Sequence, residues 1–134
     1  MENDGKKILV VEDDEALNQM LNLVLQDIGH QVDPAYNGIE ASELLSKNSY
    51  DLLVTDIFMP SMNGIELVKH CQRFFLDMPI IILSGGGREV EVKNDARTVT
   101  LQGETVTVNH FIKKPCDLDE FLELIEKIFN ENLT

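Results

Sequence analysis

The stretch "TDIFMPSMNG", residues 55–64, sets a carboxylate, Asp56, at the exit of the apolar run Leu52-Leu53-Val54. An aspartate there suits three roles: a turn former, a metal ligand or a nucleophile. Polar groups close other apolar runs too. Glu12 and Asp13 follow "KILVV" (7–11), Ser84 follows "PIIIL" (79–83), and Lys114 stands before Pro115 at the end of "HFIKKP" (110–115). Three carboxylates brought together repel one another strongly unless a cation sits among them. A hard oxygen-ligand site with few protein ligands and room for water and phosphate suits Mg²⁺. One carboxylate can then attack phosphorus to form an acyl phosphate. The Ser84 hydroxyl would donate to the transferred group, and Lys114 would neutralise another of its oxygens.

Such a site exists only if the fold brings these residues together. The runs 7–11, 79–83 and the one ending at Asp56 have the continuous apolar character of strands buried on both faces. Residues 31–35 give a weaker strand and 110–115 a last short one. Between them lie amphipathic helices. The first, in "EDDEALNQMLNLVLQDIG", carries Leu17, Met20, Leu21, Val24, Leu25 and Ile28 at helical spacing, with Gly29 placed to stop it. A short helix runs from about Ile39 to Leu45. Another, from Gly64 to about Phe74, sets Ile65, Val68, Cys71 and Phe75 on one side. Asp117 and Glu120 form a D-x-x-E cap for a final helix with Leu118, Phe121, Leu122, Ile125 and Phe129 facing inward. Strands alternating with helices in this way imply a mainly parallel sheet covered on both faces. Ligands of such sheets bind at the carboxyl ends of the strands. Glu12, Asp13, Asp56, Ser84 and Lys114 then share one rim.

With 134 residues the chain makes one domain with a real core, and its 43% hydrophobic content is that of a globular protein. Eleven basic against 24 acidic residues leave a net charge of −13. That surface repels phosphate backbones, which disfavours direct binding of nucleic acid and suits a divalent cation or a basic partner. Cys71 and Cys116 form no zinc-ligand spacing and read as reduced thiols. The N-terminal residues have no signal-peptide core, and no apolar run reaches the ~18 residues of a membrane span. The expectation is a cytoplasmic protein without membrane insertion.

The pieces "ILVVEDD", "DLLVTDIFMPSMNG", "PIIILS" and "FIKKP", in this order and spacing, resemble the receiver domain of bacterial two-component response regulators, of the chemotaxis-regulator kind. The likeness covers residues 6 to about 129, so the whole of 1–134 is expected to be a single receiver. It implies an α/β, flavodoxin-like, doubly wound sheet of five parallel strands in the order 2-1-3-4-5. It also implies roles: Asp56 as phosphoryl acceptor, Asp13 as a direct Mg²⁺ ligand, Glu12 as one acting through water, and the backbone carbonyl of Phe58 as a further ligand. Ser84 takes the switch-hydroxyl position, Phe111 the aromatic switch, and Lys114 the lysine before a usually cis proline. The phosphoryl group would come from a partner histidine kinase or histidine phosphotransfer protein, since His30, His70 and His110 are scattered. A downstream protein would read the modified surface, and a homodimer is among the assemblies this family implies.

Two other functions compete with the phosphoacceptor switch, which is an enzyme only towards itself. A Mg²⁺-dependent aspartyl-phosphate phosphohydrolase of the haloacid-dehalogenase kind needs a general acid two residues after the nucleophile, and Phe58 cannot transfer a proton. A degenerate receiver, acting only by protein binding, would lack a key residue, and none is missing. Ser84-Gly85-Gly86-Gly87 lacks the "GK[ST]" of a nucleotide loop.

The likeness departs between Ser84 and Lys114, an interval longer than the family's. Residues 98–108, "TVTLQGETVTV", alternate Thr with Val or Leu on both sides of Gln102-Gly103-Glu104. That is the period-two pattern of two strands about a glycine-containing turn. The β-branched residues also lower helix propensity repeatedly. A β-hairpin or irregular segment is therefore expected in place of the fourth helix, altering the face on which receivers commonly dimerise or meet partners.

Overall fold

A computed structural model describes residues 5–57, 59, 64–75, 77–84, 90–93, 96–101, 104–108, 110–115 and 117–131, with side chains for all of these but 84, 90–93, 96–101 and 131. In chain order the elements are β1 (Lys7–Val11), α1 (Glu15–Asp27), β2 (Gln31–Ala35), α2 (Gly38–Lys47), β3 (Leu52–Asp56) and α3 (Gly64–Phe74). Then follow β4 (Ile80–Ser84), β5 (Val90–Lys93), β6 (Ala96–Leu101), β7 (Glu104–Val108), β8 (His110–Lys113) and α4 (Leu118–Glu131).

Five strands form one sheet in the order β2-β1-β3-β4-β8, every pair parallel. This is the order expected from the sequence, with β8 in fifth place. Alternation along the strands divides the core in two. Ile8, Val10, Leu52, Val54, Ile81, Leu83 and Ile112 face Leu21 and Leu25 of α1 and Phe121 and Ile125 of α4. Leu9, Val11, Leu53, Ile80 and Ile82 face Ala41 and Leu45 of α2 and Ile65, Val68 and Cys71 of α3. Each Val, Leu, Ile or Phe side chain fully buried among them contributes about 1.5–3 kcal/mol. Pro34 is tolerated because β2 is an edge strand, and Pro79 stays outside β4 while its carbonyl accepts from Leu53 N at 3.1 Å.

Helix α1 departs from the expected face. Met20 and Ile28 are exposed at 38% and 40%, while Asn18 is fully buried between Leu17 and Leu21. Asp14 caps this helix by accepting from Leu17 N, and Gly29 closes it in the left-handed region at φ 99°. At α4, Asp117 accepts from Glu120 N at 3.1 Å as the cap predicted.

The interval after β4 contains strands where the family's usual helix was in question. β6 and β7 pair antiparallel from Leu101↔Glu104 to Arg97↔Val108, the hairpin read from the alternation. The structure adds a strand that was not anticipated: β5 pairs antiparallel with β6, giving a three-stranded sheet in the order β5-β6-β7. Val106 and Val108 of β7 are buried in the same core as Ile65, Val68 and Cys71. Thr105 and Thr107 are exposed. In register, Thr98 and Thr100 lie opposite Thr107 and Thr105. Two polar contacts fix β7 to α3: Lys69 Nζ meets Glu104 Oε1 at 2.9 Å, and Gln72 Nε2 donates to Thr107 O at 3.0 Å.

Because Val106 anchors this sheet, Val106→Ala should cost about 2 kcal/mol of stability in denaturant unfolding. Amide exchange should accelerate first in β6 and β7. A uniform loss across α4 as well would show that the two sheets unfold as one unit.

Candidate functional site

The carboxyl ends of β1 and β3 are neighbours, with Val11 opposite Thr55, so Glu12 and Asp56 follow side by side. Glu12 is fully buried and Asp56 is 4% exposed, whereas Asp13 is exposed. A carboxylate oxygen from each of Glu12, Asp13 and Asp56 lies within 4.8 Å of the others. Lys114, just beyond β8, reaches this group from the far side of β4. Its Nζ lies 2.6 Å from Glu12 Oε1 and 3.2 Å from Asp56 Oδ2. The Lys114–Pro115 bond is cis, as the resemblance implied.

Backbone groups hold the carboxylates in place. Ile57 N donates to Asp56 Oδ1 at 2.7 Å, and Asp14 N donates to Glu12 Oε2 at 3.0 Å. Thr55, also buried, donates its hydroxyl to Asp56 O at 2.9 Å. The glycine of "MNG" has a steric reason. Gly64 N donates to Ile57 O at 2.9 Å, and a Cβ at Gly64 would run into the carbonyl of Asp56 and, at 2.6 Å, Ile57 Cα. The start of α3 can approach the backbone of Asp56 and Ile57 this closely only if residue 64 has no side chain.

The electrostatics follow from burial. Burial pushes the Glu12 carboxyl up to about 6, the Asp56 charge pushes the same way, and Lys114 and the Asp14 N–H pull against them. Burial alone would lower Lys114, but the Glu12 and Asp56 carboxylates outweigh it and hold its pKa above the ordinary value. Glu12 Oε1 is buried beside the Lys114 ammonium, 2.6 Å away, which it shares with Asp56. One ammonium among three carboxylates leaves negative charge that fits a hard cation.

The sequence-predicted residues Glu12, Asp13, Asp56 and Lys114 are thus brought together. Ser84 ends β4, opposite Lys113 in the ladder, and its side chain is not among those described. Phe58 and Cys116 lie outside the described residues. Phe111 is half-buried against the core that α2, α3 and β7 share. Lys113 is exposed. The histidines stay apart from the rim: His30 accepts from Lys6 N at 3.1 Å and stacks on Phe129, and His70 stacks on Phe74. Burial pushes the Cys71 thiol up to about 12, which leaves it a protonated core residue.

A family profile described as "Response regulator receiver domain" matches residues 8–126. The chain belongs to the response regulator receiver domain family. This receiver is 33% identical over 128 residues to the transcriptional regulatory protein CrdR of Helicobacter pylori, covering 95% of its own length and 56% of that protein. It is 35% identical over 126 residues to a chemotaxis protein CheY homolog of Campylobacter jejuni, covering 91% of each. The receiver spans about half the length of the transcriptional regulators it matches, 56% of CrdR and 52% of YkoG of Bacillus subtilis. Among solved structures, the receiver domain of Francisella response regulator 1452 is similar with a TM-score of 0.77 at 26% identity, over 96% of this receiver and 99% of that chain. Response regulator protein TrrA from Thermotoga maritima, in complex with Mg(2+)-BeF, is similar with a TM-score of 0.75 at 28% identity, over 92% and 98%. No described helix of the receiver is long and apolar enough to cross a membrane.

Sequence reasoning passed over one residue that holds the site. Asn18 Nδ2 donates to Glu12 O and to Ala35 O, both at 3.0 Å, and its own Oδ1 accepts from Asn22 Nδ2 at 2.7 Å. The side chain ties the exit of β1 to that of β2 and so sets the path of Glu12. The signal was present: an asparagine at an inward helical position, where an apolar residue is the rule.

Two tests follow from this geometry. Glu12 binds its proton more tightly in the folded than in the unfolded receiver, so its contribution is full below its ordinary pKa and lost as pH rises through about 6. In chelator, Glu12→Gln should therefore gain on the wild type by up to about 2 kcal/mol between pH 4 and pH 7, read from denaturant midpoints. Parallel stability curves would place the Glu12 proton elsewhere. Gly64→Ala should cost about 1–3 kcal/mol, because the opposing atoms are backbone and cannot rotate away; an unchanged melting temperature would contradict the close approach.

Proposed function

We propose that this receiver is phosphorylated on Asp56 by a histidine kinase or histidine phosphotransfer protein, and that the modification alters the surface a downstream protein reads. The observation that carries the reading is the convergence of Glu12, Asp13, Asp56 and Lys114 on one rim of the sheet. An Asp56 oxygen attacks the phosphorus of the partner's phosphohistidine. The O–P bond forms as the N–P bond breaks, and the imidazole leaves with the bond's electron pair. Asp56 suits this role: it is nearly buried, held by the Ile57 N–H, and open to the rim on which Asp13 is exposed.

Glu12, Asp13 and Asp56, with the carbonyl of Phe58, would hold Mg²⁺. Bound there, the ion neutralises the carboxylates and the oxygens of the incoming phosphoryl group. That the similar protein TrrA was solved in complex with Mg(2+)-BeF supports a metal here. Lys114 follows the charge: paired with Asp56 before transfer, its ammonium can bind a phosphoryl oxygen afterwards. Ser84 would donate its hydroxyl to another oxygen. The consequence travels to Phe111, whose side chain packs on the core shared with β7. The activity is confined to the chain's own aspartate, and a cytoplasmic setting follows from the proposed kinase partner.

Incubation with Mg²⁺ and acetyl phosphate should add one phosphoryl group by intact mass, and Asp56→Asn should add none. An adduct retained in that variant would overturn Asp56 as acceptor. Mg²⁺ should also raise the melting temperature by mass action, and Asp13→Ala should lose most of that rise. Without metal the same variant should match or exceed wild-type stability, since one repelling charge is gone.

A further inference from the structure

Of the three rim carboxylates, Asp13 is the exposed one, so packing does little to direct its side chain. Yet one of its oxygens lies within 4.8 Å of an oxygen of Glu12 and one of Asp56. Like charges do not stay so close unless something holds them. The backbone on either side of Asp13 does. A residue's two torsions are set by the peptide planes that flank it, because each plane is rigid. The Glu12–Asp13 plane carries the Glu12 carbonyl, which accepts from Asn18 Nδ2 at 3.0 Å. The Asp13–Asp14 plane carries the Asp14 N–H, which donates to Glu12 Oε2 at 3.0 Å. The neighbours are anchored in turn: Glu12 N donates to Ala35 O at 3.0 Å, and Asp14 O accepts from Asn18 N at 2.9 Å.

Asn18 makes an unusual anchor. With Leu21 and Leu25 it forms the buried stripe of α1, where a leucine would leave no polar group to satisfy. The asparagine is tolerated because its whole amide is placed. Glu12 O and Ala35 O can only accept, so both require the amide nitrogen. The amide oxygen faces the other way and accepts from Asn22 Nδ2 at 2.7 Å. That Nδ2 also donates to Asn18 O at 2.8 Å, which fixes the Asn22 amide as well. One orientation of the Asn18 amide serves all three partners, and the flipped one serves none.

We propose, on the reading that Glu12, Asp13 and Asp56 hold Mg²⁺, that Asn18 is a positioning residue for the metal. Through the Glu12–Asp13 peptide it aims the Asp13 carboxylate at the other two. Asn18 itself touches neither the metal nor the phosphoryl group. Without its donor the Glu12–Asp13 plane is free to turn, and Asp13 swings towards solvent, away from the like charges beside it. Mg²⁺ must then order what the fold no longer orders, and affinity falls. Asn22 acts one step further out, by keeping the amide of Asn18 the right way round.

Asn18→Leu tests this, since leucine is close in volume, suits the buried stripe and lacks the donor. Its Mg²⁺ dissociation constant, from an amide chemical-shift titration, should rise about tenfold or more. In labelling by acetyl phosphate, the Mg²⁺ concentration for half-maximal rate should rise by a similar factor, while the rate at saturating Mg²⁺ stays near that of the wild type. Asn22→Ala, which keeps the donor but not its support, should show a smaller rise. Val106→Ala controls for lost stability: this core change on β7 should keep the wild-type dissociation constant. Should Asn18→Leu not fold, Asn18→Ala carries the same expectation. An Asn18 variant that binds Mg²⁺ as the wild type does overturns the proposal, and so does an equal loss in Val106→Ala. A wild type whose amides do not respond to Mg²⁺ overturns the metal reading and this role with it.

Discussion

The site depends on one ammonium placed between two buried carboxylates. Glu12 and Asp56 stand next to each other because β1 and β3 are paired, and neither has water enough to dissipate its charge. Left alone, each buried ion would cost several kcal/mol. Lys114 comes from the last strand of the sheet and touches both. Parallel pairing of β3, β4 and β8 is what delivers that lysine to the same rim. The pairing remains incomplete: one cation faces three acids, and Glu12 stays hard to ionise. That imbalance leaves the rim receptive to further positive charge.

Behind the charges lies a layer of neutral groups that give them no freedom to separate. Asn18 fixes the exit of β1, and Thr55 and the Ile57 amide fix Asp56. Gly64 lets α3 begin against the backbone of Asp56 and Ile57. From there α3 runs against β7, so the end of β3 and the added sheet share one support. That arrangement gives the rim a mechanical connection to a surface that would otherwise be a helix.

Much of this was legible because the signals were local and redundant. The continuous apolar runs at 7–11, 52–54 and 79–83 gave the inner strands, and the polar residue after each marked the rim. The threonine–valine alternation about Gln102-Gly103-Glu104 gave the hairpin. Helix α1 was read too broadly: Met20 and Ile28 keep the period but lie at the margins of the buried stripe, and Asn18 fills its centre. β5 was missed because "VEVK" is too short to show a period of its own, though the Asn-Asp pair after it has turn chemistry. The ion pair between Glu12 and Lys114 joins residues from opposite ends of the chain, and no local pattern encodes it.

The added sheet has a topological consequence. A parallel partner for β4 must start at the end of the sheet where β4 also starts, so the chain has to return across the sheet's height between them. A helix does this in one pass. Here the interval holds the antiparallel sheet β5-β6-β7 instead, and β8 still pairs parallel with β4, from Ile81↔His110 to Ser84↔Lys113. The return is therefore indifferent to the kind of element that fills it, and Lys114 reaches the rim all the same.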